Sequence, residues 1–153
     1  MPGRILVVDD EKDMLALLRR IPALAAPAVD ELLRFESPVQ FMSVSLADTV
    51  QINERPVPAG DTVLVCIGAA NRDEARFADS ERLDITRPDS GHLGFGKGPL
   101  TCIGAALARL QGEIAIAALA ARMRHPAIRG PLSLRRDPPV LRGFVSLELV
   151  FDA

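Results

Sequence analysis

The sequence predicts an α+β fold, in which helices are combined with small β-sheets along 153 residues. Three observations support this prediction. Apolar side chains recur at helical spacing through residues 105–124, which indicates a long amphipathic helix. Residues 39–66 and 126–151 contain short apolar runs between turn-forming residues, which is typical of short strands. Residues 71–92 are mostly polar and charged, so we expect an ordered polar loop there.

The first 36 residues predict one strand and two helices. Residues 5–8 form a short β-branched run, which indicates a buried strand. Apolar residues at helical spacing predict a helix over residues 11–20, which Pro22 ends. A second helix is expected from about residue 27 to residue 36, because proline is favourable in the first turn of a helix. Residues 21–28, rich in alanine and proline, are interpreted as a connector.

Similar signals place the later elements. Turn-forming residues 56–61 lead into a predicted strand over residues 62–67, and we expect a C-terminal hairpin through Arg142 and Gly143. The long helix is expected to carry its apolar residues on one face, namely Leu107, Leu110, Ile114, Ala117, Ala118 and Ala121.

Composition excludes several classes of protein. The chain carries 18 basic and 20 acidic residues, and this near-neutral balance argues against nucleic acid as a partner. Its apolar stretches fall short of the roughly 18 uninterrupted residues that a membrane-spanning helix needs, and the first residues do not resemble a secretory signal. Two cysteines, Cys66 and Cys102, fit a reducing compartment rather than a disulfide scaffold. We therefore expect a cytoplasmic protein without a membrane span.

Glycines crowd around Cys102, immediately before the predicted long helix. Glycine allows a loop to adopt positive φ angles and to approach a flat ligand closely. The start of a helix favours a thiolate, because its N–H groups and its dipole attract negative charge. Such a thiolate suits an iron ligand, whereas a free cysteine is more commonly a small buried apolar residue. The loop favours the first interpretation.

The pattern Phe95-Gly96-x-Gly98-x-x-x-Cys102-x-Gly104 resembles the haem-binding loop of the cytochrome P-450 family. The resemblance implies that Cys102 is the axial thiolate ligand of haem b, and that the phenylalanine and the glycines shape the loop around it. It also implies a fold, namely the C-terminal, proximal part of the mainly helical cytochrome P-450 structure.

Further motifs follow in the family's order over about residues 22–151. Glu31 and Arg34 match its Glu-x-x-Arg helix, and Arg82 lies in a segment that resembles its polar meander. The resemblance implies that these three residues form a buried cluster that holds the fold together and does no chemistry. Such a carboxylate, placed between two guanidinium groups, is well satisfied by bidentate hydrogen bonds.

Two positions depart from the family's pattern for binding the haem propionates. Leu100 stands where the family usually has histidine, and Ser43 stands where it usually has arginine. Each missing charge-assisted contact is worth about 1.5–3 kcal/mol. His92 is a candidate for a compensating contact with a propionate, and the alternative is an exposed loop imidazole. We therefore expect haem retention to be weakened.

The resemblance implies a monooxygenase that inserts oxygen into a small organic substrate, with electrons from a ferredoxin or a reductase. The family's oxygen-activating helix, with its acid–alcohol pair, is not found before Glu31. Residues 59–62 mimic its Ala-Gly-x-x-Thr signature, but they lie in a turn before a predicted strand. We therefore expect residues 21–153 to be a truncated haem-binding region, incomplete for catalysis in isolation.

Residues 1–20 resemble the opening strand and helix of a response-regulator receiver domain, and we assign them as an incomplete leader. The resemblance implies that Asp9 and Asp10 would help to bind Mg²⁺ beside a phosphoacceptor aspartate, since hard oxygen ligands suit that ion. No later predicted strand ends in a matching aspartate, so a strand with an acidic end is the preferred interpretation.

The main alternative to a haem protein is a non-catalytic, haem-free remnant or interaction module. Large apolar faces without a cover drive association. This alternative therefore predicts self-association of the chain through its uncovered apolar faces. A phosphorylation-linked module built on Asp9 and Asp10 is the third hypothesis.

Overall fold

The computed structural model describes residues 12–88, 90–130, 133–134 and 140–152. The strand predicted at residues 5–8 and the acids Asp9 and Asp10 lie outside the described residues. The regular elements, in chain order, are the helices and strands α1 (Lys12–Arg20), α2 (Ala25–Phe35), β1 (Phe41–Ser45), β2 (Val50–Ile52), β3 (Arg55–Val57), β4 (Thr62–Cys66), α3 (Ile67–Ala70), α4 (Ala105–Arg122), β5 (Arg124–Ile128), β6 (Ser133–Leu134), β7 (Phe144–Ser146) and β8 (Leu149–Asp152).

The core lies where α1 and α2 pack against α4. Its buried apolar residues come from these helices and from the polar loop, and they are Met14, Leu15, Leu18, Ala25, Ala28, Phe35, Leu83, Ile85 and Ala120. The guanidinium of Arg19 donates to the carbonyl oxygens of Ala120 and Met123. Because α1 packs into this same core, the boundary expected at residue 20 does not separate two cores within the described residues.

The helix α2 follows α1 after one short 3₁₀ turn, Pro22–Leu24. Pro27 lies in the first turn of α2, where its missing N–H costs little because the first four N–H groups of a helix have no intrahelical partner. The helix predicted over residues 27–36 is therefore confirmed, with a start two residues earlier. The connector is correspondingly shorter than residues 21–28.

The four strands after α2 form two antiparallel pairs, β1 with β4 and β2 with β3. The turn between β2 and β3 consists of Asn53 and Glu54, whose φ angles are 47° and 65°. Two consecutive positive φ angles are typical of the type I′ turn, which matches the twist of a hairpin. The strand predicted after residue 61 is confirmed as β4. Residues 56 and 57 of the predicted turn instead form the end of β3, because the chain reverses earlier, at Asn53 and Glu54.

The C-terminal strands pair β5 with β8 and β6 with β7. The hairpin predicted through Arg142 and Gly143 is confirmed as the consecutive antiparallel strands β6 and β7, and both residues lie in the connection directly before β7. Leu141 forms an isolated bridge with Val39, and the Arg142 N–H donates to the carbonyl oxygen of Pro38 at 2.6 Å. These contacts also attach the end of the β6–β7 connection to the chain after α2.

The polar loop between α3 and α4 is confirmed as a region without long elements. Its described residues carry turns and one 3₁₀ turn, Gly98–Leu100, before α4 begins. Several of its backbone groups bond to side chains of α2 and of the loop itself, as detailed below. These contacts hold the loop against α2 without a helix or a strand.

The long helix is confirmed as α4, but the face that it buries differs from the predicted one. Ala105 and Ala120 are buried, and Gly112 packs directly on Val29 of α2. The predicted apolar face is instead exposed, and we call its large residues the α4 stripe: Leu107, Leu110 and Ile114. Small residues pack on α2 because they let two helices approach closely. Within the described ranges, no helix is both long and apolar enough to cross a membrane.

Candidate functional site

A cavity of about 340 Å³ lies between the end of α2 and the loop that precedes α4. Apart from one cysteine, its lining residues have apolar side chains or none. They are Leu33, Pro38, Val39, Met42, Ile67, Gly94, Phe95, Gly96, Leu100 and Cys102. Binding sites for organic cofactors are commonly apolar cavities with a few polar groups. This cavity fits that description, with the Cys102 thiol as its polar group.

Cys102 is a free, exposed cysteine on the wall of the cavity. Its N–H donates to the carbonyl oxygen of Phe95 at 2.7 Å, and its own carbonyl accepts from the N–H of Ala105 at 3.1 Å. Gly104 is the N-cap residue of α4, so the cysteine lies just before the helix N-terminus, as the sequence predicts. Its exposure in this structure contradicts the alternative of a small buried apolar residue.

Two glycines of the loop have left-handed backbone conformations, Gly96 with φ 72° and Gly98 with φ 63°. A Cβ at position 96 would lie 2.5 Å from the carbonyl oxygen of Leu100, so a side chain there would collide with backbone. A Cβ at position 98 would meet open space. Position 96 therefore requires glycine for both space and conformation, and position 98 favours it for conformation alone.

His92 does not occupy the position that the sequence suggested. Its side chain is 1% exposed, and its Nδ1 accepts from the N–H of Gly94 at 3.0 Å. The other ring nitrogen, Nε2, lies 3.1 Å from the Oδ1 atom of Asp30. Both ring nitrogens are thus engaged by the protein, and His92 is absent from the cavity lining. Neither a propionate contact nor an exposed imidazole describes this residue.

Glu31 and Arg34 form the buried pair that the sequence predicts, with side chains 1% and 0% exposed. The guanidinium binds the carboxylate through two parallel hydrogen bonds of 2.8 and 2.9 Å. Its remaining N–H groups donate to the carbonyl oxygens of Asn71, Ser80 and Arg82. All five donors of Arg34 therefore have acceptors, which makes a buried guanidinium tolerable.

The third member of this cluster is Arg87, and the prediction of Arg82 is corrected. The Nε atom of Arg87 lies 3.2 Å from Oε2 of Glu31, while Arg82 is exposed and contributes its backbone carbonyl to Arg34. Burial alternates along this segment, with Leu83 and Ile85 facing the core. That alternation places position 87 inward and position 82 outward. In the sequence it is visible as apolar residues at every second position, Leu83 and Ile85, and this signal could have identified Arg87.

Asn71 joins the cluster to the cysteine loop, a role that the sequence did not reveal. Its Nδ2 donates to the hydroxyl of Ser37 at 2.7 Å, and its Oδ1 accepts from the N–H of Leu93 at 2.7 Å. Its backbone carbonyl accepts from Arg34. The loop that carries Cys102 is therefore anchored at its start to the buried polar groups around α2.

The family model for cytochrome P-450 matches residues 5–130. The chain belongs to the cytochrome P-450 family. Members of this family bind haem, which agrees with the cofactor expected from the sequence. The match begins within residues 1–20, and the resemblance of that segment to a receiver domain is not confirmed.

Similar proteins and structures support the same conclusion. Cytochrome P-450 CYP199A2 of Rhodopseudomonas palustris is 44% identical over 137 residues, covering 90% of this chain and 33% of that protein. The cytochrome P-450 monooxygenase PikC of Streptomyces venezuelae is 42% identical over 140 residues, covering 90% of this chain and 34% of that protein. The chain thus spans about a third of the length of these relatives.

Solved structures confirm the α+β fold as part of the cytochrome P-450 structure. The crystal structure of P-450BioI, in complex with an acyl carrier protein that bears hexadec-9Z-enoic acid, superimposes with a TM-score of 0.86 at 34% identity. This superposition covers 93% of the present chain and 37% of P-450BioI. The arrangement of helices and small sheets is therefore that of one portion of the family fold.

The residues present fit a haem on its thiolate side. A thiol is exposed at an apolar cavity, and Gly94 and Gly96 line part of that cavity without side chains. The cavity-lining residues named above include no lysine, arginine or histidine, so none of them pairs with a propionate. The lining residues thus offer a ligand for the haem iron, the Cys102 thiolate, but no cationic group for the haem propionates.

Proposed function

We propose that this chain provides the thiolate side of a cytochrome P-450 haem site, with Cys102 as the ligand of the haem iron. The protein would then serve as a cytoplasmic monooxygenase for a small organic substrate, supplied with electrons by a ferredoxin or a reductase. The observation that carries the proposal is the exposed Cys102 thiol on an otherwise apolar cavity wall.

Each residue of the site has a definable task in this proposal. Haem, when bound, supplies a redox-active iron at which dioxygen is reduced. The Cys102 thiolate binds that iron and donates electron density to it. Gly96 lets the loop make its left-handed turn close to the Leu100 carbonyl, and Leu33 and Phe95 exclude water from the cavity.

Proton delivery is not among the tasks that we assign to these residues. The lining residues named above carry no carboxylate, imidazole or hydroxyl group, and general acid–base catalysis needs such a group within hydrogen-bonding reach. We therefore propose that this segment, by itself, binds haem without completing the oxygenation reaction. Retention of haem should also be weak, since the lining offers no cation to the propionates.

The test is a spectrum of the purified chain after addition of hemin, reduction and exposure to carbon monoxide. We expect a strongly red-shifted Soret band, which the variant Cys102→Ala should lose. Cys66 is the matched control, because it is also a free and exposed cysteine but does not line the cavity. The variant Cys66→Ala should therefore keep the band. A wild-type spectrum identical to that of free or histidine-bound haem would refute the role of Cys102.

A second function, self-association as a haem-free interaction module, is favoured by the α4 stripe. Leu107, Leu110 and Ile114 are 60%, 53% and 62% exposed on one side of α4. Contiguous apolar surface of this kind is typical of interaction sites. In this proposal the occupant of the stripe is a second copy of the chain.

Sedimentation velocity of the haem-free chain tests this second function. Concentration-dependent dimers are expected, and Leu110→Gln should weaken them about tenfold or more. Leu64 offers a matched control because it is 61% exposed but lies on β4 rather than on α4. Monomers at all concentrations, or equal weakening by Leu64→Gln, would exclude association through the stripe.

A further inference from the structure

We infer that Asp30 and His92 form a positioning pair for the loop that carries Cys102, an inference that rests on the proposed haem-thiolate function. Neither residue lines the cavity. Both act through Phe95 and Gly94, which do line it. The inference assigns a role to a buried imidazole and to a carboxylate that the proposed function leaves unused.

The hydrogen bonds around His92 assign a role to each of its two ring nitrogens. Since Nδ1 accepts from the N–H of Gly94, the ring proton resides on Nε2 and is donated to Oδ1 of Asp30. In this arrangement one ring nitrogen of His92 accepts and the other donates. A Cβ at position 94 would lie 2.8 Å from Nδ1, so the imidazole packs against the loop backbone at the point where it accepts.

Asp30 also fixes a second group that flanks Phe95. The Nε atom of Arg109 donates to the same Oδ1 atom at 2.7 Å, and its guanidinium lies 4.7 Å from the centre of the Phe95 ring. The ring of His92 lies 5.7 Å from that centre. One carboxylate oxygen thus holds two groups that contact the same phenyl ring.

The consequence reaches Cys102 through the backbone. The residue after Gly94, whose N–H donates to His92, is Phe95, and the Phe95 carbonyl accepts from the Cys102 N–H at 2.7 Å. When Phe95 is held in place, so is the backbone of the thiolate ligand. Leu93 is anchored independently, by Asn71.

Amide hydrogen exchange in the haem-free chain tests this inference without a cofactor. Asp30→Ala should accelerate exchange at Gly94 and Cys102 about tenfold, the effect of losing roughly one hydrogen bond, while Leu93 keeps its wild-type rate. Asp30→Asn retains an oxygen for both donors and should stay within about twofold of wild type. Asp48→Ala, at an exposed aspartate of the β1–β2 loop, is the matched control and should change nothing.

Two results would overturn the inference. One is an unchanged rate at Gly94 and Cys102 in Asp30→Ala. The other is a uniform acceleration that includes Leu93, because it would assign Asp30 a general structural role. If Asp30→Ala does not fold, His92→Gln decides the matter, since it removes the acceptor for Gly94. It should accelerate exchange at Gly94 and Cys102, and unchanged rates would again contradict the inference.

A spectroscopic measurement connects the pair to the haem site. With hemin, reductant and carbon monoxide, Asp30→Ala should show a smaller fraction of the red-shifted Soret band than wild type, and Asp30→Asn should restore it. An equal fraction in Asp30→Ala and wild type would refute positioning of the thiolate. If wild type itself lacks the band, the proposed function fails, and the exchange rates still decide whether Asp30 positions the loop.

Discussion

The helix α2 lies between two regions that differ in polarity, one a buried charged cluster and the other an apolar cavity. On one side, Glu31 and Arg34 are buried charges whose hydrogen-bonding groups are matched by neighbouring acceptors and donors. On the other, Leu33 faces an apolar cavity in which Cys102 presents an exposed thiol. The first region is complete without a ligand, whereas the second has space for one. Stability and binding are therefore assigned to different sides of the same helix.

The largest effect is expected from neutralising the buried carboxylate. Glu31→Gln leaves the guanidinium groups of Arg34 and Arg87 without their charge partner, which should lower the free energy of unfolding by about 3–5 kcal/mol. Urea denaturation measures this loss. Glu81→Gln is the control, because Glu81 forms an exposed pair with Arg72 and such pairs are worth about 1 kcal/mol or less. Equal losses in both variants would contradict the comparison.

The next effect concerns the loop on the cavity side. Gly96→Ala combines a left-handed backbone with a collision against Leu100, and it should destabilise the protein by about 2–4 kcal/mol. Gly98→Ala has a similar φ angle but open space, so about 1–2 kcal/mol is expected. Thermal unfolding of the two variants measures the difference. A larger loss for Gly98→Ala would show that space at position 96 does not limit the loop.

A smaller effect distinguishes the two arginines of the polar loop. Arg87→Ala removes a hydrogen bond to the Glu31 carboxylate and should cost about 1.5–3 kcal/mol. Arg82→Ala removes an exposed side chain but leaves the backbone carbonyl of residue 82 in place. The free energy of unfolding of this variant should therefore stay within about 0.5 kcal/mol of wild type. If Arg82→Ala loses more free energy of unfolding than Arg87→Ala in urea denaturation, Arg82 rather than Arg87 is the third member of the cluster.

The cluster also shows how far the sequence could lead. Glu31, Arg34 and Cys102 could be predicted because each lies in a short motif that resembles one of the family's motifs. Arg87 was missed because the choice between two nearby arginines depends on which side of an irregular loop faces the core. His92 was misplaced for a related reason, since its partners Asp30 and Gly94 are brought to it by the packing of α2 against the loop.

The faces of α4 illustrate the same limit. The periodicity of Leu107, Leu110 and Ile114 correctly predicted a helix but not the face that it buries. The sequence is apolar on two opposite sides of this helix, and the side with small residues packs on α2 through Gly112. Periodicity identifies an apolar face, whereas tertiary contacts decide which face is covered.

The smallest effect lies at the edge of the cluster, at Asp84. The hydroxyl of Thr86 donates to its Oδ1 at 2.5 Å, and this hydrogen bond is the main reason why the pKa of Asp84 lies below its ordinary value of 3.8. Burial opposes the shift, while the Thr86 N–H and the charges of Arg82 and Arg87 support it. Thr86→Val should therefore raise this pKa towards its ordinary value.

The sign of the pH dependence follows from that lowered pKa. The ionised Asp84 contributes its full stabilisation well above pH 3.8, and this contribution is lost as the pH falls through the lower pKa of the folded state. Thr86→Val should reduce the contribution. Carboxyl carbon NMR titration of wild type and variant measures the change, and an identical pKa in both would exclude the hydroxyl as its cause.

The exposed stripe of α4 has a thermodynamic consequence. The heat capacity change and the urea m-value of unfolding both grow with the apolar surface that unfolding newly exposes. Leu107, Leu110 and Ile114 already expose more than half of their surface in the folded state, so less than half of the surface of each contributes to either quantity. Any partner that covers the stripe should therefore raise the heat capacity change of unfolding, and with it the curvature of stability against temperature.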